Sequence, residues 1–354
     1  YFPRSFIMTT VLPLVLIIAV TLTGVSNLFA ISQSAVLFLL ISPGARAAGM
    51  GESFVAVADD ATAVFWNPAG LAFQEGKEIS FMHANWLPGL GAATSDIYYE
   101  FLAYKQYFPQ LGGTLGGNVT FLNMGEMART GEEGPDVLDT FSSWDLAVSL
   151  SYATRVTDNL GMGVTMRFIR SNLAPIGAGQ EKGSGVASAF SADLSMMYKF
   201  SGKLEGLTFG ANLSNMGPKI TYVDASQADP LPTNLKLGFS YKALDTEYNK
   251  LRFSLETNKL LVHDDDDFYE ALYSSWTEPN VFSTLITSAG IEYVYNKMIF
   301  LRTGYYYDEE GKVKYPTFGA GLMYSAYRFD FAYVAAEKGS PLSDTMRFSL
   351  TAMF

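Results

Sequence analysis

The sequence predicts an all-β protein, a transmembrane antiparallel β-barrel of about 14 strands around a small N-terminal helical plug. Three observations support this class. Apolar and polar residues alternate with period two from about residue 78 to the C-terminus. Long and short connections follow one another between the alternating segments. Charged residues fall mostly on the strand face opposite the aromatic residues, as expected of a wall with lipid outside and a polar lumen inside.

The composition excludes several other classes of protein. Of the 354 residues, 49% are apolar and only 17% are charged, and there is no cysteine. Disordered chains need high charge and low hydrophobicity, and disulfide scaffolds and cysteine-based metal sites need cysteine. The formal net charge of -11 argues against nucleic acid as a partner, because phosphate binding requires a basic surface.

The N-terminus has the layout of a secretory signal peptide. Arg4 precedes an almost continuous apolar run over Val11–Val25, and small residues follow at Ala30 and Ser32. The alternative is an N-terminal membrane anchor. We therefore divide the chain into a signal peptide (1–32), a hatch or plug (33–76) and an outer-membrane barrel (77–354).

The alternating segments are each near the ~10 residues that cross a bilayer as a tilted strand. In the segment 327–334, for example, tyrosine and phenylalanine occupy one face, while Arg328 and Asp330 occupy the other. The predicted strands begin near Glu78, Tyr98, Gly113, Trp144, Leu160, Phe190, Leu207, Asn234, Leu251, Ser288, Met298, Thr317, Tyr327 and Thr345.

The connections predict how the barrel sits in the membrane. Asn296-Lys297 and Ser325-Ala326 are tight turns, and outer-membrane barrels have short turns in the periplasm and long loops outside. Both termini are then expected in the periplasm. The predicted long loops are Gly125–Ser143, Ser171–Ser188, Asn215–Thr233 and Leu261–Thr287. The charges predicted to line the lumen are Arg167, Asp193, Lys199, Arg252, Glu256, Arg302, Arg328, Asp330 and Arg347.

The block before the strands is rich in small residues and predicts a compact hatch. Asp59 or Asp60 is expected to cap a short helix that ends at Phe65, and Pro68 can open the next turn. The glycines permit close backbone approach. The block is not a phosphate-binding loop, because the further glycine and the lysine are missing. The predicted hatch residues are Gly49, Met50, Gly51, Asp59, Asp60, Trp66, Asn67 and Pro68.

Sequence motifs in this block carry a family resemblance. The run from Ala45 to Leu71, with Trp66-Asn67-Pro68-Ala69-Gly70-Leu71 at its end, resembles FadL-like outer-membrane proteins, and later segments at 213–222, 231–238 and 341–350 resemble the PorV/PorQ family within them. One departure is that PorV-like chains often read Asn-Pro-Ala followed by Lys, whereas this chain has Gly70-Leu71. PorQ-like or transport-type membership therefore stays open.

The resemblance implies a fourteen-stranded barrel with an N-terminal hatch that acts by binding rather than by chemistry. Proteins of this family are outer-membrane components of the type IX secretion system of Bacteroidota. Their partners are the translocon barrel SprA (Sov), the C-terminal signal domains of exported cargo and the PorU sortase, to which cargo is handed. Membrane lipids and lipopolysaccharide would surround the wall, and no cofactor is implied. The alternative is a FadL-like channel for hydrophobic small molecules, with an apolar pocket behind the hatch and a lateral opening in the wall.

Two predicted outer loops contain aromatic candidates for partner binding. Tryptophan is a favoured anchor of interfaces, although a tryptophan in a barrel can equally belong to the interfacial girdle. The candidates are Trp86, Leu87, Pro88, Trp276 and Phe282.

The histidines do not indicate an enzyme. The run His263–Asp267 invites a calcium interpretation, but it lacks the alternating ligand spacing and the glycine of a calcium loop, so a solvated surface loop is the favoured interpretation. His83 and His263 lack the serine or paired carboxylate of a hydrolase site.

Overall fold

The structure, a computed structural model, describes residues 34–90, 96–130, 137–174, 184–263, 266–277 and 280–354. The predicted signal peptide (1–32) lies outside the described residues. Within them, no helix combines the length and apolar character that crossing a bilayer requires.

The described strands close into one antiparallel barrel in which each strand pairs with its neighbours in sequence, and β1 pairs with β14. The prediction of a barrel of about 14 strands is therefore confirmed. The strands are β1 Lys77–Asn85, β2 Tyr98–Phe108, β3 Gly113–Thr130, β4 Val137–Arg155, β5 Leu160–Ala174, β6 Gly185–Lys199, β7 Leu207–Met216, β8 Asn234–Asp245, β9 Asn249–Leu260, β10 Leu285–Tyr295, β11 Ile299–Asp308, β12 Val313–Tyr324, β13 Tyr327–Val334 and β14 Thr345–Met353.

The two ends of the barrel differ in their connections. Short turns join β2–β3, β4–β5, β6–β7, β8–β9, β10–β11 and β12–β13 at one end, which we call the turn end. At the β10–β11 turn, Asn296 and Lys297 both have positive φ, as a two-residue turn between twisted strands requires. The opposite end, which we call the loop end, carries the connections 217–233 and 261–284.

Four neighbouring strands are longer than the sequence predicts. β3 to β6 have 15 to 19 residues, whereas the other strands have 8 to 12. The predicted long loops Gly125–Ser143 and Ser171–Ser188 are wrong in their bounds for this reason, because the strands include 125–130, 137–143, 171–174 and 185–188. These four strands exceed what a bilayer needs and extend at the loop end.

The wall sorts its side chains as predicted. On β13, Tyr327 and Phe329 are 50% and 58% exposed on the outer face, whereas Arg328 and Asp330 are buried inside. Of the predicted lumen charges, Lys199 also faces inward, with its ammonium 4.0 Å from the centre of the Phe73 ring of the hatch, but it is exposed because it lies at the mouth of the turn end. The remaining predicted charges are buried or half-buried on the inner face.

The N-terminal block threads through the lumen from the loop end to the turn end. Ala35 N–H donates to the Pro230 carbonyl (3.1 Å) in the β7–β8 loop, and the block joins β1 at the turn end, where Lys77 pairs with Phe354. The described chain therefore starts at Ser34 near the loop end and stops at the turn end. Residues 1–33, on which the prediction of both termini on one side depends, lie outside the described residues. The hatch contains α1 Ala45–Ala48, α2 Ala63–Trp66 and 3-10 helices at Leu37–Leu40 and Pro68–Phe73.

The prediction that Asp59 or Asp60 caps the short helix of the hatch was wrong. Helix α2 is a single turn that begins at Ala63, and Thr62 stands at its N-cap. The Asp60 carboxylate accepts from the Thr62 N–H (3.1 Å) and hydroxyl (2.5 Å) instead of capping the helix. Pro68 does open the following 3-10 turn, and the Asn67 side chain accepts from Ala69 N–H there.

Outside the hatch, the described chain has one α-helix, α3 Phe268–Ser274, in the β9–β10 loop. Four single-turn 3-10 helices lie in other connections, at Pro88–Leu90, Pro109–Leu111, Gly202–Leu204 and Ala225–Gln227.

Candidate functional site: a locked hatch and an aromatic loop

A closed ring of alternating charges joins the hatch to one side of the wall. Each member contacts the next at nitrogen–oxygen distances of 2.7–3.0 Å, and no side chain in the ring is more than 9% exposed. Two members come from the hatch and four from β10, β11 and β13. We call this group the hatch lock. In order around the ring, the members are Arg46, Glu292, Arg302, Asp330, Arg328 and Asp60.

The lock is costly to break because its charges are buried. Removing one partner from a buried ion group typically costs about 3–5 kcal/mol, since the other partner keeps its charge without compensation. Burial by itself raises the pKa of the Asp60 carboxyl, but the guanidinium groups of Arg46 and Arg328 outweigh burial and hold the pKa below its ordinary value. Asp60 therefore stays ionised at neutral pH, and the lock stays closed.

Backbone contacts at glycines hold the same side of the hatch. A Cβ atom on Gly304 would lie 2.1 Å from Gly51 N, and Gly51 itself has a φ of +67°. The Gly51 N–H also donates to Thr317 Oγ1 (2.9 Å). The close approach predicted for the hatch glycines thus depends on glycines in the wall as well. The glycines that meet across this contact are Gly49 and Gly51 in the hatch and Gly290, Gly304 and Gly319 in the wall.

Single carboxylates hold the hatch elsewhere. Glu256 on β9 accepts from the backbone N–H groups of Phe54 and Val55, each at 2.7 Å. Glu78 on β1 accepts from Ala61 N–H at 2.8 Å. These bonds occupy backbone donors that would otherwise be unsatisfied in the packed lumen. The hatch is therefore bonded to the wall at several points around the barrel.

The conspicuous Trp66-Asn67-Pro68 motif has a packing role inside the lumen. The Trp66 indole N–H donates to Pro43 O (3.1 Å), and the ammonium of Lys236 lies 4.3 Å from the centre of a Trp66 ring. Asn67 is fully buried, and its amide donates to Val55 O (2.8 Å) and to a wall carbonyl on β6 (3.1 Å). The structure places both residues in the body of the hatch.

The lumen above and below the hatch is filled to different extents. Near the loop end, a cavity between Leu39, Phe65 and Arg167 measures about 10 Å³, room for about one water molecule. At the turn end, a cavity of about 510 Å³ opens between the hatch and β6–β9. Its lining mixes apolar side chains with both signs of charge. The charged residues there are Asp59, Lys199, Glu205, Lys242, Asp245 and Arg252.

The first predicted partner-binding loop is packed against the barrel. Trp86 is half-buried, with its ring 6.2 Å from that of Tyr99 and with the Arg347 guanidinium 5.8 Å away. Leu87 has positive φ, and Pro88 starts a 3-10 turn. Trp86 therefore belongs to the packed mouth of the lumen.

The second predicted loop presents its aromatic side chains to solvent. Trp276 is 43% exposed and Phe282 is 69% exposed. Sequence reasoning missed two tyrosines beside them, Tyr269 and Tyr273, which are 54% and 80% exposed on successive turns of α3. Spacing of i and i+4 on a short amphipathic helix would have been the signal. We call Tyr269, Tyr273, Trp276 and Phe282 the aromatic loop.

The structure offers no support for a metal site in the described part of this loop. His263 Nδ1 lies 3.3 Å from Asp266, which also accepts from the Ser274 hydroxyl (2.5 Å). Asp264 and Asp265, on which the calcium interpretation depended, lie outside the described residues. Among those that are described, no group of three or more His, Asp or Glu is placed to hold an ion.

Comparison with known proteins gives one family and one fold. A family model described as type IX secretion system protein PorV matches residues 26–267, about two thirds of the chain. A comparison with curated proteins finds no match in sequence.

Solved structures match along most of the chain. The toluene transporter TodX of P. putida covers 88% of this chain and 99% of its own, with a TM-score of 0.53 and 13% identity. The toluene transporter TbuX of Ralstonia pickettii has the same TM-score, 15% identity, and coverage of 88% and 98%. The monoaromatic hydrocarbon channel CymD has a TM-score of 0.51, 13% identity, and coverage of 89% and 98%. At this identity, the likeness is one of fold, that of a FadL-like barrel.

Proposed function

The chain belongs to the PorV family of type IX secretion system proteins, and on this premise we propose that it is a docking barrel for exported polypeptides. In this proposal, cargo binds at the loop end through its C-terminal signal domain, while the hatch stays closed. The barrel then passes the cargo from the translocon to the sortase that attaches it to the cell surface. The observation that carries the proposal is the hatch lock. If buried ion pairs keep the lumen closed, a partner can bind only at the outer surface, where the loops lie.

The filled lumen disfavours a route through the barrel. Opening the hatch would separate Arg46 from Glu292 and Asp60 from Arg328, and all four side chains are almost completely buried. It would also expose the backbone donors now bonded to Glu256 and Glu78. Each separated charge would need new solvation, at a cost of several kcal/mol. A protein that only binds at its surface does not incur this cost.

The aromatic loop is the surface we assign to protein partners. Its side chains expose large rigid rings, and such residues dominate the energy of protein interfaces when a partner buries them. The proposed partners are the SprA-type translocon barrel, cargo signal domains and a PorU-type sortase. Trp276 and Phe282 remain partner-binding candidates, whereas the packing of Trp86 assigns that residue a structural role.

The orientation follows from the two kinds of connection. We place the turn end, with Phe354, toward the periplasm and the loop end outside, because short turns face the periplasm in outer-membrane barrels. The exposed apolar outer face then contacts membrane lipids and lipopolysaccharide. In this orientation, β3–β6 rise above the bilayer on the side where partners would arrive.

The second candidate function is a channel for hydrophobic small molecules. The turn-end cavity of about 510 Å³ favours it, because it is large enough to hold such a ligand. Two observations weigh against this function. The cavity carries six charged residues, and the space near the loop end is occupied by the chain's own Val36, Phe38 and Leu39.

Affinity purification separates the two candidates. The tagged protein would be extracted gently from its own outer membranes, and co-purifying molecules identified by mass spectrometry of both proteins and lipids. Recovery of exported proteins that share a C-terminal domain, or of a giant barrel protein, is the expected result. Recovery of the protein alone, with an apolar ligand inside it, would instead establish the channel.

A further inference from the structure

Strand β6 has a free edge at the loop end. It pairs with β5 from Gly185 to Tyr198, but with β7 only from Ala192 onward. On the β7 side, no strand or loop among the described residues forms a backbone hydrogen bond with Gly185–Ser191. Half of the backbone N–H and C=O groups of this stretch therefore point away from the sheet and have no backbone partner in the part of the chain that the structure describes.

The free edge exists because the next part of the chain turns into the lumen. Gly217, directly after β7, lies against the Phe190 carbonyl, with room only for a hydrogen atom. The loop then buries Ile220 and Leu231 in the mouth of the barrel, and Tyr222 donates to Ser171 Oγ (2.9 Å). The residues after β7 therefore fill the mouth of the barrel and do not continue the strand beside β6.

This edge lacks the usual protection against strand addition. Natural edge strands carry lysine, proline, inward charges or bulges that prevent pairing with other chains. The stretch Gly185–Ser191 has no charged residue and no proline. The upper part of β3 differs, because a register shift near Gly125 interrupts the strand and it carries Glu126 and Arg129. The register shifts next to the free edge of β6 lie only at its ends, opposite Gly185–Val186 and at Ala192–Leu194. Of these two edges, only that of β6 is suited to pairing with an added strand.

An extended polypeptide is the occupant that fits the edge. Only another backbone can supply the evenly spaced donors and acceptors of a strand ladder. Lipid tails supply none, and an open sheet edge does not occur in the hydrocarbon region. A small molecule could satisfy at most one or two of the groups. Of these candidates, only a strand from another chain can pair along the whole edge in place of water.

The side chains around the edge specify the sequence of that strand. On the outer face, Val186 and Phe190 flank Ser188, and Arg170 donates from Nη1 to Ser188 Oγ (2.8 Å). Arg170 has no acidic partner among the residues that the structure describes. A strand paired with β6 would place an acidic side chain beside Ser188, within reach of the guanidinium, and apolar side chains two residues away on either side.

We propose that an extended segment of an exported polypeptide adds as a strand to the Gly185–Ser191 edge of β6, with an apolar–x–acidic–x–apolar pattern facing outward. This inference rests on the proposed function, because it takes an exported polypeptide as the occupant. It adds to that function the place and the mode of recognition. The residues that face inward on the added strand are small, in keeping with the buried Ala187 and Ala189 beside them.

Photo-cross-linking tests the proposal in the full-length protein in cells. The amino acid p-benzoylphenylalanine would replace Phe190, which is 64% exposed at the top of β6. The matched control replaces Phe329, which is 58% exposed on β13, a strand paired on both sides. We expect exported proteins cross-linked from Phe190 and not from Phe329. If the Phe190 variant does not fold, Val186 on the same face can carry the cross-linker.

The outcomes separate this inference from the function on which it rests. Cross-links from Phe190 to lipopolysaccharide alone, to a resident membrane protein alone, or to nothing, while cargo still co-purifies, would overturn the strand addition only. Absence of co-purifying cargo from the unmodified protein would overturn the proposed function. As a second measurement, Arg170→Glu is expected to lower cargo recovery about fivefold, and Arg170→Lys to retain most of it.

Discussion

The wall at β10–β13 and the top of β6 meet the rest of the molecule in opposite ways. At β10–β13, buried charges and facing glycines bind the hatch so closely that side chains beyond glycine do not fit. At the top of β6, the strand edge has no partner on one side among the described residues. The fold is therefore closely packed where it seals the lumen, and it leaves backbone groups unpaired at the loop end. Binding is then expected at the loop end rather than inside the barrel.

The largest expected effect comes from breaking the hatch lock. Arg46→Met would leave Asp60 and Glu292 buried with too little positive charge. We expect the free energy of unfolding to fall by about 3–5 kcal/mol. Denaturant unfolding in detergent, followed by the gel mobility of the folded barrel, measures it.

The matched control for this change is an ion pair on the surface. Arg129 and Asp139 form a pair whose side chains are 32% and 36% exposed. Arg129→Met is expected to change the free energy of unfolding by no more than about 1 kcal/mol. Equal losses for the two variants would mean that the hatch lock does not hold the hatch.

The next effect tests the contact between glycines. Gly304→Ala would place a Cβ atom 2.1 Å from Gly51 N, so the hatch backbone must move. We expect a loss of about 1–3 kcal/mol in the free energy of unfolding. Gly185→Ala at the free edge of β6 is the comparison variant: its nearest atom is 3.1 Å away, so we expect a smaller loss there. A Gly304→Ala protein as stable as the unmodified one would show that the hatch is loosely held.

A third effect sharpens the difference between the two aromatic loops. Trp276→Ala and Phe282→Ala remove exposed rings, so we expect unchanged thermal stability and about tenfold weaker cargo binding. Trp86→Ala removes a ring packed on Tyr99, so we expect lower stability instead. Thermal unfolding and cargo pull-down on the same preparations measure both properties. Reduced stability of the Trp276→Ala variant would show that Trp276, like Trp86, has a packing role.

The smallest effect is a dependence on acid. The pKa of Asp60 is lower in the folded protein than in the unfolded chain. Ionised Asp60 therefore makes its full contribution to the free energy of unfolding above the ordinary aspartate pKa of about 3.9, and this contribution is lost as the pH falls through the folded-state pKa. The stability difference between the unmodified protein and Asp60→Asn should therefore be constant near neutral pH and shrink in acid. A difference that shrinks already between about pH 8 and 6 would contradict this assignment.

The sequence predicts the barrel well in the part that crosses the membrane. There, lipid outside and the packed lumen inside impose apolar and polar residues alternately, and β2, β3, β5, β7, β8, β13 and β14 begin where the alternation predicts. In the strand ends beyond that part, this contrast disappears. The segments Val137–Ser143 and Gly185–Ala189 are small or mixed in character, so they resemble loops in sequence although both are strand.

The site is less predictable, because its partners lie far apart in the chain. Arg46 pairs with Glu292 across 246 residues, and no local pattern connects them. Glu292 itself could have been predicted as a lumen charge. It lies on the inner face of β10, between Ile291 and Tyr293 on the outer face. The position of Trp86 could not have been predicted, because a tryptophan in a loop can pack into the mouth of the lumen or point out toward a partner.

The most direct test of a docking barrel with a closed hatch is to fix the hatch covalently. The chain has no cysteine, so Ala45→Cys and Ser349→Cys together add one disulfide where the Ala45 N–H now donates to the Ser349 hydroxyl (2.9 Å). Secretion of cargo would be compared in oxidised and reduced cells, with each single variant as a control. We predict equal secretion whether the disulfide fixes the hatch or not. Secretion lost on oxidation and restored by a reductant would show that the hatch must open.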